Sequence, residues 1–269
     1  MNDDLIPVIG LRLLDGRVGS TLLMQLLATS PDVVCDREYP YGEYRYLSYC
    51  VRIAEWMRTP WDPERDIGVT DMMFNAPDRG GPLPWTVQSL SIEALGPRAL
   101  RALWSACSTG FREQQPTCRW YAEKLACGVE PIAAAGIPIE VIEVVRDPRD
   151  IVASMLSFKE FRPAPGQSIE AWVAGLLPRW AAWLDSMSAP MRLRYEDFAP
   201  NLEGTAASLS AQFGIDLDAD AVARADRHVT TSSVDESIGR WRRDIDSRIA
   251  QQIWDALETR LVPLGYSRD

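Results

Sequence analysis

Ile6-Pro-Val-Ile-Gly-Leu-Arg-Leu-Leu14, followed by Asp15-Gly16-Arg17-Val18-Gly19-Ser20-Thr21 and then Leu22-Leu23-Met24-Gln25-Leu26-Leu27, is the stretch that decides the fold. Its first nine residues read as a buried strand and its next five as a glycine-bearing loop. Ser20 to Thr29 read as a helix, with Leu22, Leu23, Leu26 and Leu27 at helical spacing. Ser30-Pro31-Asp32 ends that helix, and Val33-Val34-Cys35 is a short second strand. Strand, tight loop, helix, strand is the opening of a parallel α/β sheet.

The loop stands where a phosphate cradle belongs. Free amides at the start of a helix point at a bound anion, and the helix dipole adds to the attraction. Gly16 and Gly19 allow the backbone shapes and the close approach that such a loop needs. A nucleoside-triphosphatase loop ends in Gly-Lys-Ser or Gly-Lys-Thr. Here Ser20-Thr21 follow Gly19 directly, and the cation, Arg17, lies two residues earlier. That displacement argues against ATP hydrolysis. For this loop taken alone, a plain βα turn with two glycines is the alternative.

A second motif stands much later. Ile137-Pro-Ile-Glu-Val-Ile-Glu-Val-Val145 is the strongest strand signal in the chain, and it runs into Arg146-Asp147-Pro148-Arg149-Asp150-Ile151-Val152-Ala153-Ser154. Ligands of open parallel sheets bind beyond the carboxyl ends of the strands, so Arg146 is expected to face the same ligand as the first loop. Pro148 suits the first turn of a helix running to about Phe158. Ser154 falls two turns along it. An arginine and a hydroxyl together grip a phosphate dianion. Alone, this nonapeptide also reads as a helix start with surface ion pairs.

The two motifs in this order resemble the nucleotide-dependent sulfotransferases, in style closest to the tyrosylprotein and bacterial small-molecule enzymes. A basic residue followed by x-Gly-Ser/Thr-Thr/Ser-Leu-Leu is similar to their 5′-phosphosulfate loop, which Arg17, Gly19, Ser20 and Thr21 fit, with Val18 where the family often has serine. Arg146 and Ser154 stand at the family's 3′-phosphate spacing. Arg194-Tyr195-Glu196-Asp197-Phe198 resembles its Tyr-Glu-Asp segment, and Ser237-Ile238-Gly239-Arg240-Trp241-Arg242 its C-terminal Gly-x-Trp-basic segment. The resemblance implies that Tyr195, Ser237, Gly239, Arg240 and Trp241 belong to the nucleotide site, with Trp241 packing on adenine and Arg240 or Arg242 reaching the 3′-phosphate. The family's Arg-Lys-Gly pattern is replaced by Val234-Asp235-Glu236. The implied donor is 3′-phosphoadenosine 5′-phosphosulfate, leaving 3′,5′-adenosine bisphosphate, with no metal. The implied fold is α/β: a P-loop-like three-layer αβα with a central parallel sheet and a helix-rich C-terminal part.

Sulfuryl transfer requires a base for the acceptor proton and a cation for the leaving oxygen. Many cytosolic members use histidine as the base. The lone histidine, His228, lies outside that position and reads as structural or nucleotide-adjacent. Glu38 stands 21 residues after Arg17 and emerges after the second strand. That is the spacing of the base in tyrosylprotein sulfotransferases, so the resemblance makes Glu38 the base, with Asp36 next in line. Lys124 resembles the family lysine that stabilises the transferring group. As plain surface residues, Glu38 and Lys124 need no such role.

The remaining chain reads as one domain over 1–269. An inserted excursion at about 58–90, rich in Pro, Gly and Asp, is expected to cover the acceptor. Helices are expected over 91–113 and 168–187, a strand over Met191 to Tyr195, and mostly helix thereafter. Hydrophobic content of 46% and charged content of 25% suit a soluble globular protein. The net charge of −10 disfavours nucleic acid and anionic membranes as partners. No apolar run suggests a membrane span, and no basic region or cleavage site opens the chain. Five cysteines form no metal-ligand spacing and, being odd in number, no complete disulfide framework, so a reducing cytoplasm is expected. Tyr39 to Tyr49 with Trp56, Trp61 and Trp85 suggest an aromatic-lined pocket for a small, aromatic or lipid-like acceptor, and they read equally as ordinary core. Two other functions remain open: a P-loop-type nucleotide or small-molecule kinase, and a non-catalytic nucleotide-binding module.

Overall fold

Among the described residues, five strands form the central sheet: β1 (Val8–Leu13), β2 (Val33–Val34), β3 (Trp120–Lys124), β4 (Ile139–Val145) and β5 (Met191–Arg194). They lie in the order β2-β3-β1-β4-β5, and the pairs β2–β3, β1–β3 and β4–β5 are parallel. The computed structural model describes residues 5–38, 41, 45–58, 92–158, 161–224 and 233–269. The expected excursion at about 58–90 lies outside them but for Arg58, and His228 lies outside them altogether. From β1 the chain crosses to one side for β2 and β3 and to the other for β4 and β5. The sheet therefore changes direction at β1, and the crevice at such a switch point is where α/β folds bind ligands. This is the three-layer P-loop-like α/β architecture expected from the sequence.

The chain divides into two compact units. The larger comprises residues 7–44, 117–125 and 140–269 and holds the sheet apart from Ile139. Helix α1 (Ser20–Leu27) follows β1 and buries Leu23, Met24, Leu26 and Leu27 in the core beside Ile9, Leu11 and Val144. Three of the four leucines at helical spacing are thus buried, and Leu22 alone of that set stays partly exposed. The smaller unit comprises residues 1–6, 45–116 and 126–139. In it α2 (Tyr46–Arg58) packs on α3 (Ile92–Gln114) and α4 (Glu130–Ala134) on α3. Trp104 of α3 is fully buried and donates its indole N–H to the Ile6 carbonyl at 2.9 Å.

Helix α5 (Pro148–Leu156) follows β4. Asp147 caps it by accepting from the Arg149 amide at 2.9 Å, and Pro148 occupies the first turn, where its missing N–H costs nothing. Helix α6 (Ile169–Asp185) begins at Ser168, which caps it through the Ala171 amide. After β5 come α7 (Tyr195–Phe198), α8 (Leu202–Phe213), α9 (Ala219–Arg224), α10 (Val234–Ser237), α11 (Trp241–Asp244) and α12 (Ser247–Leu261). The expected helical C-terminal part is thus present, with α12 packed along α6. Strand β3 and helices α2 and α4 escaped the sequence reading. Strand β3 carries Glu123 and Lys124, both buried, so no apolar run marks it. Helix α2 is aromatic-rich and read only as pocket lining. Among the described residues no helix is long and apolar enough to cross a membrane.

Candidate active site

Arg17 sets the centre of the site. Its backbone is in the left-handed region, φ 71°, unusual for a residue with a Cβ and typical of strained functional loops. Its guanidinium lies 3.8 Å over the Phe158 ring, and its Nε donates to Ser154 Oγ at 3.1 Å. The two motifs read from the sequence are therefore in direct contact. Gly19, at φ 85°, is the N-cap of α1 and provides no side-chain cap to the helix amides that follow. A Cβ there would stand 2.4 Å from the Tyr195 ring, so only glycine lets the loop lie against that tyrosine.

Arg146 ties the loop down. It is 4% exposed and rests 4.2 Å over the Tyr195 ring. One terminal nitrogen donates to the carbonyl of Arg17 at 3.0 Å and the other to the carbonyl of Ser237. Tyr195 Oη and Ser237 Oγ are hydrogen-bonded at 2.7 Å. Arg17, Gly19, Arg146, Ser154, Tyr195 and Ser237 thus make one connected cluster at the carboxyl ends of β1, β4 and β5. Within it the Arg146 Nε is buried and, among the described residues, has no hydrogen-bond partner. A buried unpaired donor on a guanidinium is costly unless an acceptor arrives. This orphan, the uncapped start of α1 and the side-chain-free cradle at Gly19 together fit a polyanionic nucleotide.

Ser20 is buried at the first position of α1, and Thr21 accepts a hydrogen bond from Lys124 Nζ at 3.3 Å. Lys124 ends β3 and is 5% exposed, so the structure brings it to the loop. Glu38 stands apart from the cluster: exposed, past β2, its amide held by Asp36 Oδ1 and its carbonyl accepting from the Tyr41 amide. Arg240 is buried and pairs with Asp244 at 2.7 Å and Ser157 Oγ at 2.8 Å. The Trp241 ring is engaged by Arg149 at 3.9 Å and Arg242 at 4.5 Å.

The profile of the sulfotransferase family matches residues 15–219, well over half of the chain. The chain belongs to the sulfotransferase family. Among solved structures, the sulfotransferase domain of the Synechococcus PCC 7002 olefin synthase matches with a TM-score of 0.52 at 16% identity, covering 98% of this chain and 97% of that one. Retinol dehydratase in a complex with retinol and PAP gives a TM-score of 0.46 at 14% identity over 94% and 81% of the two chains. The first of these likenesses speaks for the fold. No curated protein matches the sequence.

In this sulfotransferase several residues without a role legible in the sequence organise the site. Asp150, 1% exposed, accepts from the Gly239 amide at 2.7 Å and the Trp241 amide at 2.9 Å, one to each oxygen. It pins the turn in which Gly239 takes φ 68°. Burial pushes its carboxyl up, opposed by Arg146 and the two amides. Beside it Arg149 clasps Asp147 at 2.7 Å and donates to the carbonyls of Ser267 and Arg268. Glu196 accepts from the Asp147 amide at 2.9 Å and the Tyr266 hydroxyl at 3.0 Å, and burial raises its carboxyl. Arg146 just before α5, Asp150 and Ser154 within it, and Phe158 just past its end recur every fourth residue. That spacing is the signal by which Asp150 and Phe158 were open to detection.

Proposed function

We propose that the protein transfers a sulfuryl group from 3′-phosphoadenosine 5′-phosphosulfate to a hydroxyl or amine of a small-molecule acceptor, by in-line displacement with Glu38 as general base. The observation that carries this reading is the meeting of both phosphate motifs at the Arg17–Ser154 contact, around a buried Arg146 with a donor to spare. Arg17, Gly19, Ser20 and Thr21 would hold the 5′ side of the donor and Arg146 with Ser154 the 3′-phosphate. Tyr195, Ser237, Gly239, Arg240 and Trp241 shape the remaining wall.

When bound, the donor would supply an activated sulfuryl group, whose bond to the 5′-phosphate oxygen breaks so that 3′,5′-adenosine bisphosphate is the leaving group. Glu38, exposed at the ligand edge of the sheet, removes the acceptor proton as the new bond forms. Arg17 and Lys124 supply fixed positive charge against the charge that develops on the leaving oxygen, without reorganising. The amides at the start of α1 add their partial charge. The tyrosine-rich stretch from Tyr39 to Tyr49 of the sequence supports an aromatic or lipid-like acceptor.

Calorimetry with 3′,5′-adenosine bisphosphate and with ATP tests this reading. Bisphosphate should bind at least about tenfold tighter, a difference of about 1.4 kcal/mol. Turnover should survive EDTA, because less phosphate charge gathers at the reacting centre than in ATP chemistry. Preference for ATP with strict magnesium dependence would make the protein a kinase. Bisphosphate binding without turnover in any acceptor screen would make it a binding module.

Asp150 offers a separate check on the nucleotide wall. Its ionised carboxylate accepts both amides of the 239–241 turn, whereas a protonated one keeps a single acceptor oxygen. Because its carboxyl titrates above the ordinary range, that loss sets in at a higher pH than for an exposed aspartate. Asp150→Asn imitates the protonated form at every pH. Leaving one buried amide unpaired costs about 1–3 kcal/mol, and bisphosphate affinity should fall about tenfold at pH 7.5. The wild type should lose affinity on acidification more steeply than Asp150→Asn. Parallel profiles for the two proteins would remove Asp150 from the nucleotide wall.

A further inference from the structure

The smaller unit holds a pair of thiols that sulfuryl transfer does not use. Cys50 of α2 and Cys107 of α3 lie with their sulfurs 3.9 Å apart, 57 residues separated in sequence. Cys50 is 6% exposed, while Cys107 is half-buried, so one sulfur is sheltered and its neighbour is open to a small reagent. A disulfide needs about 2.05 Å between sulfurs. The remaining approach is of the order that side-chain rotation at two packed helices supplies. We propose that Cys50 and Cys107 form a redox-active dithiol that a peroxide converts to an intramolecular disulfide.

The chemistry assigns the two thiols different parts. The hydrogen bond from Cys50 stabilises the Cys107 thiolate and, against the opposing effect of burial, lowers that thiol to about 7. Near neutral pH, Cys107 is therefore substantially thiolate, the form that attacks. Its sulfur takes one oxygen from the peroxide, becoming a sulfenic acid and releasing hydroxide. Cys50 then gives up its proton to that hydroxide, and its sulfur displaces the sulfenic oxygen as a second hydroxide, which takes a proton from solvent. Two thiols and one peroxide yield one disulfide and two waters. Cys35 provides the contrast within the same chain. Burial pushes it up to about 12, with Arg37 opposing, so it stays a thiol and inert. The new bond would join the two helices that lead into and out of residues 59–91.

Peroxide oxidation of the full wild-type chain tests the proposal. About one equivalent of hydrogen peroxide near neutral pH should remove about 2 Da from the intact mass. Two of the five thiols should become unreactive to a thiol reagent after denaturation. A non-reducing peptide map should join Cys50 to Cys107, and dithiothreitol should restore both thiols. In Cys50→Ser the same treatment should leave Cys107 as a sulfenic acid about 16 Da heavier, trapped by dimedone. In the untreated protein Cys107 should alkylate more than about tenfold faster than Cys35. Wild-type protein that keeps all its thiols, oxidises Cys107 without forming a cross-link, or pairs any other cysteines would overturn the proposal, leaving 50 and 107 a hydrogen-bonded pair only. Because the wild type is decisive by itself, a variant that fails to fold does not leave the question open.

Discussion

Glu38→Gln is expected to lower turnover by about 10²–10⁴, the usual contribution of a general base, and to leave bisphosphate affinity nearly unchanged. The substitution keeps side-chain size and hydrogen-bonding reach and removes only basicity. Glu38 lies four residues past β2, exposed, in a turn held by Asp36 Oδ1 on its amide and by the Tyr41 amide on its carbonyl. Among the described residues its position is set by these backbone contacts, so loss of the charge should not disturb the fold. The measurement is single-turnover sulfuryl transfer, in which chemistry limits the rate, with calorimetry of bisphosphate alongside. His228→Gln should reduce the rate much less or act through donor affinity. Retention of more than about a third of wild-type turnover by Glu38→Gln would sink the assignment. Asp36 and His228 would then be tested, with the fold and family unaffected.

Arg146→Ala is the second large effect. The wild-type guanidinium holds the carbonyl of Arg17 at 3.0 Å and the carbonyl of Ser237, lies over Tyr195, and keeps a buried Nε without a partner among the described residues. If that donor meets the 3′-phosphate, its loss removes one charged hydrogen bond, about 1.5–3 kcal/mol and hence roughly 10–150-fold in bisphosphate affinity. Adenosine 5′-phosphosulfate, which lacks the 3′-phosphate, should lose far less. Both should lose something, because the strained carbonyl of Arg17 and that of Ser237 are released together, and the melting temperature should fall for the same reason. Equal losses for the two ligands would confine Arg146 to bracing the loop. Arg146→Lys restores charge but not the two-carbonyl clasp, so a full rescue by lysine would argue for charge alone.

The bisphosphate comparison also weighs Ser154. It is 1% exposed and already accepts from Arg17 Nε. A phosphate gripped by Ser154 therefore competes with, or shares, the contact that draws the loop arginine toward helix α5. The cation and the hydroxyl that sequence assigned to opposite ends of the donor are, in the folded chain, neighbours.

Residues 6–27 determined the fold class by themselves, since an apolar run, a glycine loop and a leucine-spaced helix admit few arrangements other than a parallel α/β sheet. Arg146 to Ser154 likewise announced its placement, because a strand signal as strong as Ile137 to Val145 fixes which end of the sheet the next residues occupy. Both readings rest on local rules: apolar periodicity, the glycine backbone, proline in the first helical turn. What only the tertiary structure decided are relations between distant segments. Strand β3 was illegible because Glu123 and Lys124 are buried polar residues, tolerated by the hydroxyls of Tyr121 and Thr21 and not by any pattern along the chain. Asp150 had no role legible in the sequence, and its hold on the amides of Gly239 and Trp241 appears only once the C-terminal segment folds back on α5. That the Trp241 ring meets Arg149 and Arg242 is likewise a pairing set by packing. Gly19 was legible as a loop glycine, but that its missing Cβ makes room for Tyr195 was not. Side chains are chosen locally for the backbone they must permit; which distant partner they meet depends on sheet order and burial, and one dimension carries no record of either.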